Sequence, residues 1–312
     1  ILAILVGFVI GGKLDFSIVG LFTSMAAIYS VRQLRTRAQL FIATLFIILS
    51  GSIIIIGIGL IKKLQWSIIG DNLINMLISG LLAPLITYGI STFYEVVFRV
   101  TSDLTLLELT DFNHPLLKKL SQEANGTFNH CIVVGNLAES CANAIGANPL
   151  LARVGAYYHD IGKLSRPEYF VENQYGGDNP HDELSPSLSS KIIIGHVKDG
   201  IKLAKEYRLP PAIANFIPMH HGTSKIDFFY NKALEIFEND FSKINEDDFK
   251  YPGPKPNTKE TGLLMICEAV EAAVRSLKNP TLTKIESMAD KIIQKRLQEG
   301  QLDNCPLTIS DL

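Results

Sequence analysis

Residues 148–163 read Asn-Pro-Leu-Leu-Ala-Arg-Val-Gly-Ala-Tyr-Tyr-His-Asp-Ile-Gly-Lys. The Asn148-Pro149 step is a break in the chain. The apolar positions of Leu150–Tyr158 then recur at three- and four-residue spacing, the period of a helix packed on one side. That helix closes on an imidazole beside a carboxylate, His159-Asp160. The same period returns in Val133–Ile145, Leu188–Tyr207, Pro211–His220, Lys232–Phe241 and Gly262–Ser276. Gly176-Gly177-Asp178-Asn179-Pro180, Leu209-Pro210-Pro211 and Tyr251-Pro252-Gly253-Pro254 separate these segments. Pro211 suits a first helical turn, where a missing N–H costs nothing. The polar, Pro-rich Asn245–Lys259 reads as an ordered surface loop. Alternating strand patterns are scarce, so the expected fold class is all-α.

Upstream the chain changes character. Its 312 residues have room for about two domains. A content of 47% hydrophobic and only 19% charged residues, with a mean hydropathy of +0.21, points to a very apolar part joined to an ordinary one. The apolar part is the N-terminal third. Ile1–Ile10 is too short to span a hydrocarbon core, which needs about 20 helical residues. Phe16–Val31, Leu40–Ile61 and Ile74–Val97 then follow in series as expected membrane helices, with Gly51 and Gly57–Gly59 allowing close packing. Arg32, Arg35 and Arg37 lie between two of these segments and Lys62-Lys63 in the next loop, so the positive-inside rule puts the Arg loop in the cytoplasm. The last span then ends inside, near Arg99. The expected organisation is a membrane region over residues 1–98 and a cytoplasmic helical domain over 99–312, a multi-pass protein of the cell (inner) membrane with the lipid bilayer as a partner. A chain that starts at Ile with so short a first stretch is expected to be part of a larger protein. A net charge of -2 gives no reason to expect a nucleic acid polymer as partner, and 4 Cys in a reducing cytoplasm make disulfides unexpected.

The chemistry lies in the histidines. Of 7 His, His130 opens one helix, His159-Asp160 closes another, His196 lies mid-helix and His220-His221 ends a fourth. Any one of them alone reads as a core or surface residue; together they do not read as chance. Imidazole with carboxylate suits Fe, Mn or Zn, whereas an oxygen-only set would suit Mg or Ca. Adjacent residues on a helix point about 100° apart. His159 can therefore feed one ion while Asp160 bridges to a second, and His220 and His221 would serve two centres more easily than one. The pattern predicts a binuclear site inside a helical bundle.

Tyr158-His159-Asp160-Ile161-Gly162-Lys163 resembles the signature of the HD phosphohydrolase superfamily. Phe170-Val171-Glu172-Asn173-Gln174, Asn179-Pro180-His181-Asp182, Leu184-Ser185-Pro186, His220-His221-Gly222-Thr223, Tyr251-Pro252-Gly253-Pro254-Lys255-Pro256 and Glu268–Arg275 resemble, more narrowly, its seven-transmembrane HD family. Known members of that family are cyclic-di-AMP phosphodiesterases. The resemblance runs from about Asp103 to the C-terminus, and the preceding spans agree with it.

The resemblance implies two divalent metal ions, Mn or Fe with Zn also compatible, held by His130, His159, Asp160, His196, His220 and His221. The family's last ligand is an Asp where this chain has Glu268; a carboxylate is kept with one more methylene, and Glu is a common ligand in helical bundles. The implied reaction is hydrolysis of cyclic di-AMP to linear pApA by a metal-activated water. Asp160 and Lys163 are the expected catalytic residues, with Lys163 steadying the phosphate as a point charge. Arg166, His181 and Arg275 are further candidates for substrate contact, each with an ordinary structural alternative such as an ion pair. A homodimer is compatible with this assignment. His114, before Pro115, reads as exposed linker. Cys131 and Cys267 read as small buried apolar residues, and Phe228-Phe229-Tyr230 as packing in preference to adenine stacking. The cyclic-di-GMP branch carries a Glu after its His pair, where Gly222-Thr223 stands here, and guanosine tetraphosphate hydrolases carry an acidic pair where Gly162-Lys163 stands. A nucleotide receptor with an impaired site is the non-enzymatic alternative.

Overall fold

The structure, a computed structural model, describes residues 14–31, 38–98, 100–174, 176, 178–277 and 279–312. Ile1–Ile10, the Arg32–Arg37 loop and Arg99 lie outside the described residues. The chain divides into two compact units, with the boundary between Leu104 and Thr105.

The first unit contains α1 (Leu14–Val31), α2 (Ala38–Ile61) and α3 (Trp66–Phe98). All three are long and apolar enough to cross a membrane. A helix satisfies its own backbone groups, which hydrocarbon cannot do. Small residues set the α2–α3 packing: a Cβ at Gly51 would run into the Met76 side chain, and one at Gly80 into Ile48. α3 starts at Trp66, earlier than the apolar run suggested. Pro84 lies inside it, and the helix continues on both sides.

In the second unit the described residues hold no named strand, only an isolated bridge between Lys225 and Lys250. α4 (Asp103–Leu109) begins at the boundary, and α5 (Pro115–Glu123), α6 (Asn125–Ala144), α7 (Pro149–Tyr158), α8 (Pro186–Glu206), α9 (Pro211–Ala214), α10 (Phe216–Met219), α11 (Asp227–Ile236), α12 (Lys259–Arg275) and α13 (Leu282–Gln298) follow. The starts are marked in the sequence. Asn148 and Ser185 cap α7 and α8 by accepting from Leu151 N and Leu188 N, each ahead of a proline. Thr258 and Thr261 cap α12 reciprocally. One core joins Leu116, Leu117 and Leu120 of α5 to Val154, Tyr158, Ile161 and Ile213. A second joins Val134, Ala138 and Ala142 of α6 to Ala152, Ala156, Phe216 and Leu264. Its alanines let α6, α7 and α12 come close.

Four expectations are corrected. Pro211–His220 is two short helices, not one, because Pro218 has no N–H to give the Ala214 carbonyl and its ring crowds that group. The helix expected at Lys232–Phe241 is α11, which ends at Ile236, with Glu238 and Asn239 both at positive φ beyond it. Asn245–Lys259 is not wholly surface, since Phe249 and Tyr251 are buried. His114 is not exposed linker: its Nδ1 accepts from Leu116 N at the start of α5, and its ring meets Tyr158 edge-on at 5.5 Å.

Candidate metal centre

Asp160 is fully buried at the end of α7, in the turn that leads into Ile161–Ser165. Gly162 fits that turn against α8, since a Cβ there would collide with the His196 carbonyl oxygen. The carboxylate thereby sits between two sets of imidazoles. Asp160 Oδ1 lies 3.4 Å from His196 Nε2 and 3.7 Å from His220 Nε2. Its Oδ2 lies 3.3 Å from His159 Nε2 and 3.8 Å from His130 Nε2. Two groups of potential ligands result, His196 with His220 and His221, and His130 with His159, Asp160 and Glu268; within each the donor atoms lie within 4.8 Å of one another. His221 Nε2 and Glu268 Oε1, 3.8 Å apart, link the groups on the other side.

The rings are aimed from behind. His159 Nδ1 meets the Ala156 carbonyl at 2.6 Å, His196 Nδ1 the Ile193 carbonyl at 2.6 Å, and His220 Nδ1 the Phe216 carbonyl at 3.2 Å. His130 Nδ1 meets the Glu271 carboxylate at 2.7 Å. Carbonyl and ionised carboxylate oxygens accept, so these Nδ1 atoms carry a proton and each Nε2 is the ring nitrogen left facing the centre. His221 is held by stacking on Tyr251, with ring centroids 4.0 Å apart. Burial pushes the His196 imidazole down to about 4 and holds His220 and His221 well below the usual range, so all three are neutral. Burial opposes the charge on Asp160, yet Lys163 and His159 keep its carboxyl well below the usual value. Burial likewise lifts Glu268 to about 7.

This donor set fits a divalent transition metal. Both Asp160 oxygens and His159 Nε2 are buried with no hydrogen-bond partner, although the Lys163 ammonium lies 2.7 Å from Oδ2 as an ion-pair contact. Buried lone pairs left in that state are costly unless a cation takes them. Neutral imidazoles with carboxylates are what Mn, Fe or Zn ask for.

All seven residues expected as ligands are thus together, while the four expected as phosphate or substrate contacts are dispersed. Lys163 is buried at the centre, bonded to Glu172 Oε1 at 2.7 Å as well as facing Asp160. His181 is buried, with Nε2 on the Tyr169 carbonyl at 2.9 Å and its ring against Phe229, and it belongs to neither ligand group. Arg166 is exposed, and Arg275 pairs with Glu271 at 3.7 Å. Cys131 and Cys267 are buried, and so is Phe229. The sequence reading assigned no role to Glu172, Tyr251, Glu271 or Gln301. Glu271 sits one helical turn beyond Glu268, a spacing that could have marked it. Gln301 carries no such signal; it accepts from Thr223 N at 2.9 Å, bracing the turn after His221.

A membrane-spanning helical unit joined to a helical unit whose inward histidines surround one aspartate defines a membrane protein carrying an HD domain. Comparison with known proteins agrees and narrows the class. Residues 127–273 match the HD domain family, and residues 1–102 match the family described as 7TM receptor with intracellular HD hydrolase. The chain belongs to this seven-transmembrane HD family. It is 42% identical over 278 residues to the cyclic-di-AMP phosphodiesterase PgpH of Bacillus subtilis, covering 88% of this chain and 38% of that protein. It is 46% identical over 235 residues to PgpH of Listeria monocytogenes, covering 75% of this chain and 32% of that one. The chain therefore spans 32–38% of the length of these relatives. The crystal structure of the L. monocytogenes PgpH HD domain in complex with cyclic-di-AMP superposes with a TM-score of 0.61 at 49% identity, over 64% of this chain and 92% of that one.

Proposed function

We propose that this chain is a membrane-anchored, metal-dependent phosphodiesterase that hydrolyses cyclic di-AMP to linear pApA, with residues 1–98 in the inner membrane and the HD domain of residues 99–312 in the cytoplasm. One observation carries the reading: Asp160 turns one oxygen to each of the two histidine groups. That arrangement suits a pair of divalent ions. His130, His159, Glu268 and Asp160 Oδ2 would hold one, and His196, His220, His221 and Asp160 Oδ1 the other. Mn and Fe suit these donors best, and Zn is compatible. Such a pair supplies Lewis acidity that makes water nucleophilic near neutral pH, and charge that offsets a phosphodiester anion.

The remaining work falls to the chain itself. The carbonyls behind His159, His196 and His220, with Glu271 behind His130, keep the ring nitrogens aimed so that the site is organised before substrate arrives. Lys163 supplies a positive charge for the phosphate. Water's oxygen joins phosphorus and the P–O3′ bond breaks, leaving a 5′-phosphate on one side and a 3′-hydroxyl on the other. The longer arm of Glu268, compared with the family's Asp, still reaches the His130 and His159 group, which favours hydrolysis over a binding-only receptor. The Arg32–Arg37 loop supports the cytoplasmic orientation, and the likeness to PgpH supports the choice of nucleotide.

The full chain, purified in detergent and loaded with Mn or Fe, should convert cyclic di-AMP to pApA on a chromatogram and act far more slowly on cyclic di-GMP. Binding of cyclic di-AMP with no linear product would overturn the hydrolase and favour the receptor.

A further inference from the structure

The turn Val171–Asn173 joins the first turn of α6 to the Asp160 segment. Asn173 Oδ1 accepts from Thr127 N at 2.9 Å, and its Nδ2 donates to Thr127 Oγ1 at 2.9 Å. Gly126 permits the approach, since a Cβ there would collide with the Glu172 carbonyl. Glu172 is thereby fixed with Oε1 accepting from Thr127 Oγ1 at 3.1 Å and from Lys163 Nζ at 2.7 Å. The Lys163 ammonium is the same 2.7 Å from Asp160 Oδ2 and lies 5.0 Å over the Phe170 ring. One buried cation is therefore shared between two buried carboxylates, and one of those is the bridging group of the centre.

That sharing creates a competition. An ammonium 2.7 Å from Asp160 Oδ2 crowds the approach that a metal ion would use, and it also repels the ion. We propose that Glu172 is a positioning residue whose negative charge takes over Lys163 when Asp160 turns to metal, keeping the ammonium off Asp160 and still beside the site. The assignment rests on the metal-dependent reading above, and it concerns charge: Thr127 and Asn173 hold the turn, while Glu172 holds the lysine. Without Glu172's charge, Asp160 becomes the only carboxylate paired with Lys163, and the ammonium becomes a rival to the metal.

The test is Mn affinity of the full chain in detergent, measured by competition with a chelator, so that no turnover is needed. E172Q keeps the side-chain shape and an oxygen for Thr127; it should weaken Mn binding by about tenfold or more, the scale of an outer-shell partner. Removing the rival as well, in E172Q/K163M, should restore affinity to within about twofold of the unchanged chain on the same scale, while turnover stays low for want of the phosphate-facing charge. If E172Q/K163M binds Mn as weakly as E172Q, Glu172 only braces the turn and the proposal falls. Should E172Q not fold, K163M and E172Q/K163M are compared directly. Equal Mn affinity supports the handover, and a weaker double variant overturns it. An unchanged chain that binds Mn but leaves cyclic di-AMP intact would sink the hydrolase reading and leave this cycle interpretable.

Discussion

Leu49, midway along α2, and Val133, on the α6 helix that carries His130, are both aliphatic and about half exposed, at 50% and 46%. Around Leu49 the other exposed side chains are Phe41, Ile42, Leu45, Phe46 and Ile53, and α2 contains no charged residue at all. Around Val133 they are Asn129, Asn136, Leu137 and Ser140. Charge is distributed the other way. The helical unit buries Asp160, Lys163 and four histidines of its centre, whereas the membrane unit keeps the Asp15–Lys62 pair at helix ends. Exposure alone therefore does not say whether an apolar residue is out of place; the solvent it meets does. A unit that covers its own apolar core can build a closed polar interior, and that interior is where chemistry becomes available.

The largest effect is expected where charge is most enclosed. D160N keeps the shape and removes the ionised oxygen that both ligand groups share. Turnover should fall by more than the roughly 10–100-fold typical of outer-shell changes, and metal per chain, read by elemental analysis, should drop with it. Unchanged metal content and turnover would remove Asp160 from the centre.

Next comes the direct contrast between the two exposed aliphatics. L49R places a guanidinium near the middle of a hydrocarbon span, at a cost of about 2.5–3.5 kcal/mol. V133R places it in water and should shift stability by no more than about 0.5 kcal/mol. The first should lower the fraction of chain recovered in membranes, and the second should leave both that fraction and the thermal midpoint alone. Equal behaviour would break the contrast. Stripping the metal with a chelator should act only on the helical unit, lowering its stability by about 3 kcal/mol relative to metal at about 100 times its Kd. The readout is the thermal midpoint, with the helical circular dichroism retained.

Much of this was legible in the sequence, and the rest was hidden for identifiable reasons. The clustering of the seven candidate ligands could be read because imidazoles are few and a metal site would demand several at once. The membrane helices could be read because hydrocarbon forces length and composition. The first two turns of α6 could not: Asn125-Gly126-Thr127-Phe128-Asn129 has no apolar period, and Thr127 is helical and buried because Asn173 bonds its backbone from 46 residues away. Helices α4, α5 and α13 were passed over for want of a long apolar run, and Leu106, Leu109 and Leu116 become core only through tertiary packing. His181 carries a motif and a titratable ring, yet its burial against Tyr169 and Phe229 is a property of folded neighbours. A motif marks a residue that is needed and does not say what it touches.

The smallest effects compare two carboxylate contacts of nearly equal length. His130–Glu271 measures 2.7 Å with side chains 3% and 11% exposed, and Lys62–Asp15 measures 2.6 Å with side chains 51% and 32% exposed. In the first, the carboxylate fixes the ring that faces the centre, and little water is there to replace it. E271Q should weaken Mn binding by roughly 10–100-fold, and a chelator competition will read it. In the second, water and salt compete for both partners, and an exposed pair contributes about 0–1 kcal/mol. D15N should therefore move the thermal midpoint of the detergent-solubilised chain only slightly, and less at high salt than at low. A large, salt-independent loss in D15N would mean that the ends of α1 and α2 meet an environment as closed as the histidine cluster. In that case the contrast between a polar interior and an apolar exterior would no longer separate the two units.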